Sequence, residues 1–384
     1  MILKSIFYSI CLSIARRFGK NNIFIKYKIG ISHRIVAVML FFSVMQPAFA
    51  VDSVTVGLSV YPSVADGGIW AVGDELGLWE KENLEVKVLT FQGAGVLVPQ
   101  VASGNVTIGL PSPETILAAF AAGQTNLPIR FFYNVIPVNT MEFAVLADSQ
   151  IHEVADLKNK KIGVGALTWG NIPSTRAVLK EAGLKAADYS IVPVGVLSSG
   201  FHALTAGEVD ALNYNSGWHD ILELSGTPLR RIKLPGVIGA MSANAFIAHA
   251  EALEKNPDLF IRFGRAFTAA EVACAANVRF CVEAFWRQHP EARPKEGDLP
   301  QAVQNAVEVV RRRLDRITLF PDGSPREPGA FDLLAIRRYV RQMALDGEFV
   351  SDNVPVDQLF TNRLVADFAK FDSGEIRTQA RLAQ

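Results

Sequence analysis

Apolar positions along the middle of the chain switch repeatedly between two periods. Short runs rich in Val, Ile and Leu predict strands at 53–60, 85–91, 106–110, 131–135 and 142–146. A second set falls at 161–164, 190–194, 209–212, 230–234 and 245–248. Between them, apolar residues three and four apart predict helices at 68–78, 112–123, 174–182, 200–206 and 217–224. After Leu253 the pattern is helical almost to the end, at 257–277, 282–288, 299–314 and 331–345. A Pro- and Gly-rich stretch at 320–328 interrupts it.

The pattern repeats. Residues 97–114 read LVPQVASGNVTIGLPSPE and residues 200–217 read GFHALTAGEVDALNYNSG. Aligned at one offset, Gly104 falls on Gly207, Val106 on Val209, and 86–91 on 189–194. With three more residues of offset upstream, Val56-Gly57-Leu58 falls on Ile162-Gly163-Val164 and Ala71-Val72 on Ala177-Val178. Each half therefore reads strand, helix, strand, helix, strand. So long a period, present twice, predicts a two-lobed α/β protein rather than a solenoid. The expected domains are a first lobe from 51–145 plus 245–384 and an inserted second lobe at 146–244. Two crossings between lobes make a hinge, and the cleft between them is the expected ligand site.

The chain has 384 residues, 49% of them hydrophobic and 20% charged, an ordinary globular balance. Its formal charge of zero hides an asymmetry. Residues 1–50 hold seven Lys and Arg and no acid, leaving 31 bases against 38 acids in the remainder. A mildly acidic body excludes a nucleic-acid surface. The basic start runs into an apolar stretch at 35–49 and ends Ala48-Phe49-Ala50, the pattern of a secretory signal peptide cleaved near Ala50. A periplasmic location is the expectation. Cys274 and Cys281 fall in what reads as one helix. There a rise of ~1.5 Å per residue holds their Cα atoms roughly 10 Å apart, too far for a disulfide. Two unpaired thiols are expected, and no metal site.

In such a fold the loops at the carboxyl ends of the strands line the cleft. They are 59–63, 92–95 and 111–114 from the first half, and 165–171, 195–199 and 213–216 from the second. The candidate ligand-binding residues are Tyr61, Gln92, Ser112, Thr168, Trp169, Asn171, Tyr214 and Asn215. Trp169, a large ring between Thr168 and Gly170 with no evident core role, is the sharpest of them. These loops offer hydroxyls, amides and aromatics but no Lys, Arg or His, and one acid, Glu114. Several open helices, where free N–H groups and the helix dipole hold an anion without a cationic side chain. Glu114 reads as a first-turn helix acid. The histidines fall outside the loops, and no Gly-x-Ser-x-Gly or His-Glu-x-x-His motif occurs. No catalytic residue and no cofactor is expected.

Four segments resemble a known family: GIWAVGDELGLWEKENLEV (68–86), VASGNVTIG (101–109), ADLKNKKIGV (155–164) and LTAGEVDAL (204–212). They are similar to solute-binding proteins of ABC importers, in the superfamily of nitrate, sulfonate and taurine binders and thiamine-pyrimidine-precursor (NMT1-like) proteins. The resemblance implies a type II periplasmic binding fold of two doubly wound lobes, with a helical C-terminal region. It also implies a small solute as ligand, with an ABC permease and its ATPase at the inner membrane as partners. A monomer is expected. Where sulfonate binders of this type carry an aromatic-x-Pro step, this chain reads Asn213-Tyr214-Asn215-Ser216. The favoured ligand is a small organic anion of the sulfonate or carboxylate class. The alternatives are a neutral heterocycle such as a pyrimidine precursor, a superfamily enzyme, or a sensor module.

Overall fold

The computed structural model describes residues 51–383, apart from 235, 296, 321 and 322. The leader expected at 1–50 lies outside the described residues. Ten strands follow in chain order: β1 Asp52–Leu58, β2 Leu84–Thr90, β3 Ile108–Leu110, β4 Ile129–Ile136, β5 Met141–Leu146, β6 Lys160–Val164, β7 Tyr189–Pro193, β8 Ala211–Asn215, β9 Leu229–Lys233 and β10 Asn244–His249. They form two five-stranded sheets, ordered β2-β1-β3-β10-β4 and β7-β6-β8-β5-β9.

The duplication seen in the sequence extends to register. Val56 of β1 faces Val88 of β2 and Ile108 of β3. Ile162 of β6 faces Ile191 of β7 and Ala211 of β8. These are the positions that the two offsets place in correspondence, so the halves share their pairing as well as their pattern. Gly104 and Gly207 occupy matching left-handed positions, φ +77° and +73°, just past a helix end. A residue with a Cβ is strained in that conformation, which is why both halves place glycine there.

Each sheet holds one antiparallel strand next to its third parallel one. In the first sheet this is β10, paired with β3 and β4. In the second it is β5, paired with β8 and β9. The strand at 142–146, expected in the first lobe, thus belongs to the second sheet, and the chain crosses between β4 and β5 rather than after residue 145. Its apolar alternation marks it as a strand without saying which sheet receives it. The return crossing leads into β10, which begins at Asn244.

The main helices are α1 Val64–Glu75, α2 Ala94–Ala102, α3 Pro113–Ala121, α4 Ile172–Glu181, α5 Ser198–Thr205, α6 Ser216–Leu224, α7 Pro257–Ala276, α8 Val278–Gln288, α9 Leu299–Thr318, α10 Leu333–Leu345 and α11 Ser373–Leu382. An aromatic cluster joins α1 and α7 to the first sheet. Trp70 lies 5.2 Å from Phe267 between ring centres, Trp79 stacks on Phe263 at 5.7 Å, and Phe246 of β10 packs among them. Close approach of α8 to α1 depends on Gly67 and Gly68, where a Cβ would lie 2.2 Å from the Phe285 ring and 2.5 Å from Cys281 Sγ. No helix among the described residues is long and apolar enough to cross a membrane.

The expectation of two free thiols is overturned: Cys274 and Cys281 form a disulfide with Cα atoms 5.0 Å apart. The helix assumed to run through both is broken at Asn277, whose φ of −147° and ψ of 83° are far from helical. Its side chain accepts the Phe280 N–H and so starts α8 in a new direction. The resulting bend brings the two cysteines within reach.

Candidate functional site

A chamber of about 110 Å³ lies where the carboxyl ends of the two sheets face each other. From the first half it receives Ser59 and Val60 after β1, Gly93 and Ala94 at the start of α2, and Ser112 and Glu114 at the start of α3. From the second half come Trp169, Gly170 and Asn171 ahead of α4, with Asn215 and Trp218 at the start of α6. The crossing segments complete it with Asn139, Thr140, Met141, Ala243 and Asn244. Glu114 is the sole ionisable side chain in this lining.

Four helices point their N-termini at the chamber. Strands ending on a polar loop and feeding a helix put them there. Gly93, Ser112 and Asn171 stand at the cap positions of α2, α3 and α4, and none makes a side-chain cap. At α2 and α3 the first-turn N–H groups are therefore open to a ligand, apart from Pro113, which has none. The α4 start offers less, because the Ile172 N–H donates to the Trp169 carbonyl at 3.3 Å and Pro173 has no N–H. At α6 the cap is filled, because Asn215 Oδ1 accepts the Trp218 N–H at 3.1 Å. Helix N-termini favour negative charge, so the chamber suits an anion although no cation lines it.

The two halves touch beside the chamber. A Cβ on Gly170 would lie 2.5 Å from Thr115 Oγ1 and 3.2 Å from Ser112 Cβ, so the loop after β6 rests directly on α3. Glu114 ties the same place from within. It accepts a short hydrogen bond from Ser174 of α4 and one of 3.0 Å from Tyr339 of α10. Ser112 Oγ is 3.5 Å from its other oxygen. Glu114 is only 3% exposed. Burial raises its pKa to about 7, against the opposing pull of the hydrogen bonds from Ser174, Tyr339 and Ser112.

Of the eight residues proposed from sequence, Ser112, Trp169, Asn171 and Asn215 line the chamber. Asn171 does so with its amide committed, since Nδ2 donates to Asn213 Oδ1 at 2.9 Å. Trp169 also packs on its own half, with ring centres 5.8 Å from both Tyr214 and Trp218. Gln92 and Thr168 lie one residue outside the lining, and Thr168 Oγ1 borders Gly93 at 3.7 Å from the position of an added Cβ.

Tyr61 and Tyr214 fall elsewhere. Tyr61 is 49% exposed and its hydroxyl donates to Glu291 Oε1 at 2.8 Å beside His289. It turns outward onto the segment after α8, because position in a loop does not fix side-chain direction. Tyr214 is fully buried and donates to the Gly195 carbonyl at 2.5 Å. Strand alternation sends it into the core of its own half while its neighbour Asn215 faces the chamber. Trp218, which is not among the eight, also lines the chamber. Its place in the first turn after a cleft loop, like that of Glu114, is the signal that could have found it.

Known proteins can now be set beside this geometry. A binding protein of Brucella abortus is 26% identical over 239 residues, which is 59% of this chain and 69% of that protein. The alkanesulfonate-binding protein SsuA of Xanthomonas axonopodis pv. citri, solved with MOPS, superposes with a TM-score of 0.60 at 18% identity. The match covers 82% of this chain and 99% of that one. The desulfurization enzyme DszB, solved with biphenyl-2-sulfinic acid, shares the fold at a TM-score of 0.53 and 16% identity, covering 83% and 99% of the two chains. The fold is thus the periplasmic binding fold that the sequence resemblance implies. A family model described as NMT1/THI5 like matches residues 68–277, more than half of the chain, and this protein belongs to that family.

Proposed function

We infer that this protein is the solute-binding component of an ABC importer and that it takes a small organic anion, a sulfonate or carboxylate, into the chamber between its halves. The observation that carries this reading is the convergence of the uncapped N-termini of α2 and α3 on a chamber lined by no cation. Backbone N–H groups then hold the negative charge, and Trp169 and Trp218 present ring faces to the organic part. The likeness to the alkanesulfonate-binding protein SsuA supports the sulfonate class through the shared fold. The two sheets with their helices act as lobes, and the crossings beside the chamber act as a hinge. On this reading residues 1–50 are a signal peptide cleaved near Ala50, the mature protein works in the periplasm, and a permease with its ATPase receives the solute.

A thermal-shift screen over sulfonates, carboxylates and pyrimidines tests the reading. A solute at about 100 times its Kd stabilises the folded state by about 2.7 kcal/mol, enough to move the transition clearly. Sulfonates or carboxylates are expected to give the shift. A shift with pyrimidines alone would replace the anion by a neutral heterocycle, and turnover of a sulfinate without any stabilising solute would replace the binding role by an enzymatic one.

A further inference from the structure

The chamber continues past its floor. A second cavity of about 90 Å³ adjoins it, and Ser59, Val60, Thr140, Asn215, Trp218 and Asn244 line both. The two differ in character. Amides and helix starts surround the first, while Ile69, Trp70, Leu110, Val135, Phe267 and Ile317 wall the second.

Two buried donors on these walls have no hydrogen-bond partner. Trp218 is 2% exposed, lies on the boundary, and its Nε1–H is unpaired. Arg313 of α9 is 6% exposed and sits among the apolar walls. Its Nη2 pairs with Asp66 Oδ1 at 2.5 Å, while Nη1 has no partner. Buried donors are nearly always satisfied in folded proteins, and an orphan at a cavity wall marks a place for an acceptor.

We propose that the second cavity is a subsite for the far end of the ligand. The solute then has an anionic head at the helix N-termini, a compact apolar body, and a neutral hydrogen-bond acceptor that meets Arg313 Nη1. This rests on the chamber being the solute site. Asp66 sets the charge of the distal group, because it lines the same cavity and already offsets the guanidinium. A second anion there would face that carboxylate across the cavity, whereas a carbonyl or ether oxygen accepts from Nη1 without repulsion. Burial raises the pKa of Glu271, which feels the Arg313 charge, to about 8, so at neutral pH it is mostly protonated. An apolar cavity of ~150 Å³ takes a benzene ring. Chambers of about 110 and 90 Å³ together therefore suit a single ring with small substituents.

Calorimetric titration with benzenesulfonate, 4-acetylbenzenesulfonate and 4-sulfobenzoate tests this. The acetyl compound is expected to bind about tenfold more tightly than benzenesulfonate, the smaller end of what a hydrogen bond from a charged donor contributes. The sulfobenzoate should bind no more tightly than benzenesulfonate. In Arg313→Met the acetyl advantage disappears. In Asp66→Asn, which keeps the guanidinium, 4-sulfobenzoate gains about tenfold, and this arm decides the matter should Arg313→Met fail to fold. Equal affinity for all three probes, or a preference of the parent for 4-sulfobenzoate, would overturn the subsite and leave the chamber standing as an anion site. Binding of none of the three by the folded protein would overturn both.

Discussion

Glu114 gives the sharpest test of how the chamber is built. Its carboxyl is buried at the contact of α3, α4 and α10, and its ionisation moves from the ordinary 4.5 to about 7. Between those values the folded protein keeps a proton that the unfolded chain has released. The group's contribution to stability is therefore fully present below pH 4.5 and is lost as pH rises through 7. At 1.36 kcal/mol for each tenfold change, the loss amounts to about 3 kcal/mol at pH 8 and about 1 kcal/mol at pH 5. Glu114→Gln keeps an acceptor for Ser174 and Tyr339 and removes the charge. The variant should exceed the parent in stability by about 3 kcal/mol at pH 8, with the gap closing towards pH 5. Urea unfolding of both proteins at four pH values measures this. Taking the difference at each pH cancels every other titrating group, Glu271 included. A gap that stays flat with pH would show that Glu114 does not exchange its proton in this range, and the account of its burial would be wrong.

Four further outcomes follow from the same geometry. Affinity for a sulfonate should fall as pH rises through about 7, because ionised Glu114 then faces the bound anion, and Glu114→Gln should remove the dependence; calorimetry at pH 6 and 8 reads it. Trp169→Ala should weaken sulfonate binding at least about tenfold, or ~1.4 kcal/mol, and unchanged affinity in a folded variant removes the ring from the site. Gly170→Ala places a methyl 2.5 Å from Thr115 Oγ1 and should weaken sulfonate binding, read by calorimetry. Replacing both Cys274 and Cys281 with Ser opens a short loop and should cost about 2 kcal/mol in urea unfolding.

Much of the fold was legible because its signals are local. The Gly-x-Val steps, the helix-ending glycines and the Ser-Pro-Glu helix start placed the parallel strands and the loops at their ends, and five of the six loops contribute to the chamber, whereas 195–199 does not. What was not legible depends on direction. Tyr61 sits in the expected loop after β1 and Tyr214 at the expected height on β8, but both turn away, one onto Glu291 and the other into the core. The disulfide was hidden by a single residue: the apolar pattern through 257–288 cannot show that Asn277 departs from helical angles and folds the chain back. Arg313 lay beyond any reading of the loops, since α9 reaches the second cavity from the helical region near the end of the chain.

The antiparallel strand in each sheet bears on how the proposed site could hold an anion with so few charged groups. Each half completes its sheet with an antiparallel strand that lies next to a crossing, β5 in one and β10 in the other. The segments entering those strands, Asn139 to Met141 and Ala243 to Asn244, also line the chamber. A ligand there bears on the crossings themselves as well as on the loops of both halves. Any rotation of one half against the other must move Thr140 and Asn244 relative to the helix N-termini. On the proposed hinge reading, the affinity for an anion depends on the contact where Gly170 meets α3. If closure of the halves is what gathers the N-termini, as that hinge implies, substitutions at this contact should act on release rate more than on association. Stopped-flow fluorescence of Gly170→Ala separates the two, and a change confined to association would refute the dependence on closure.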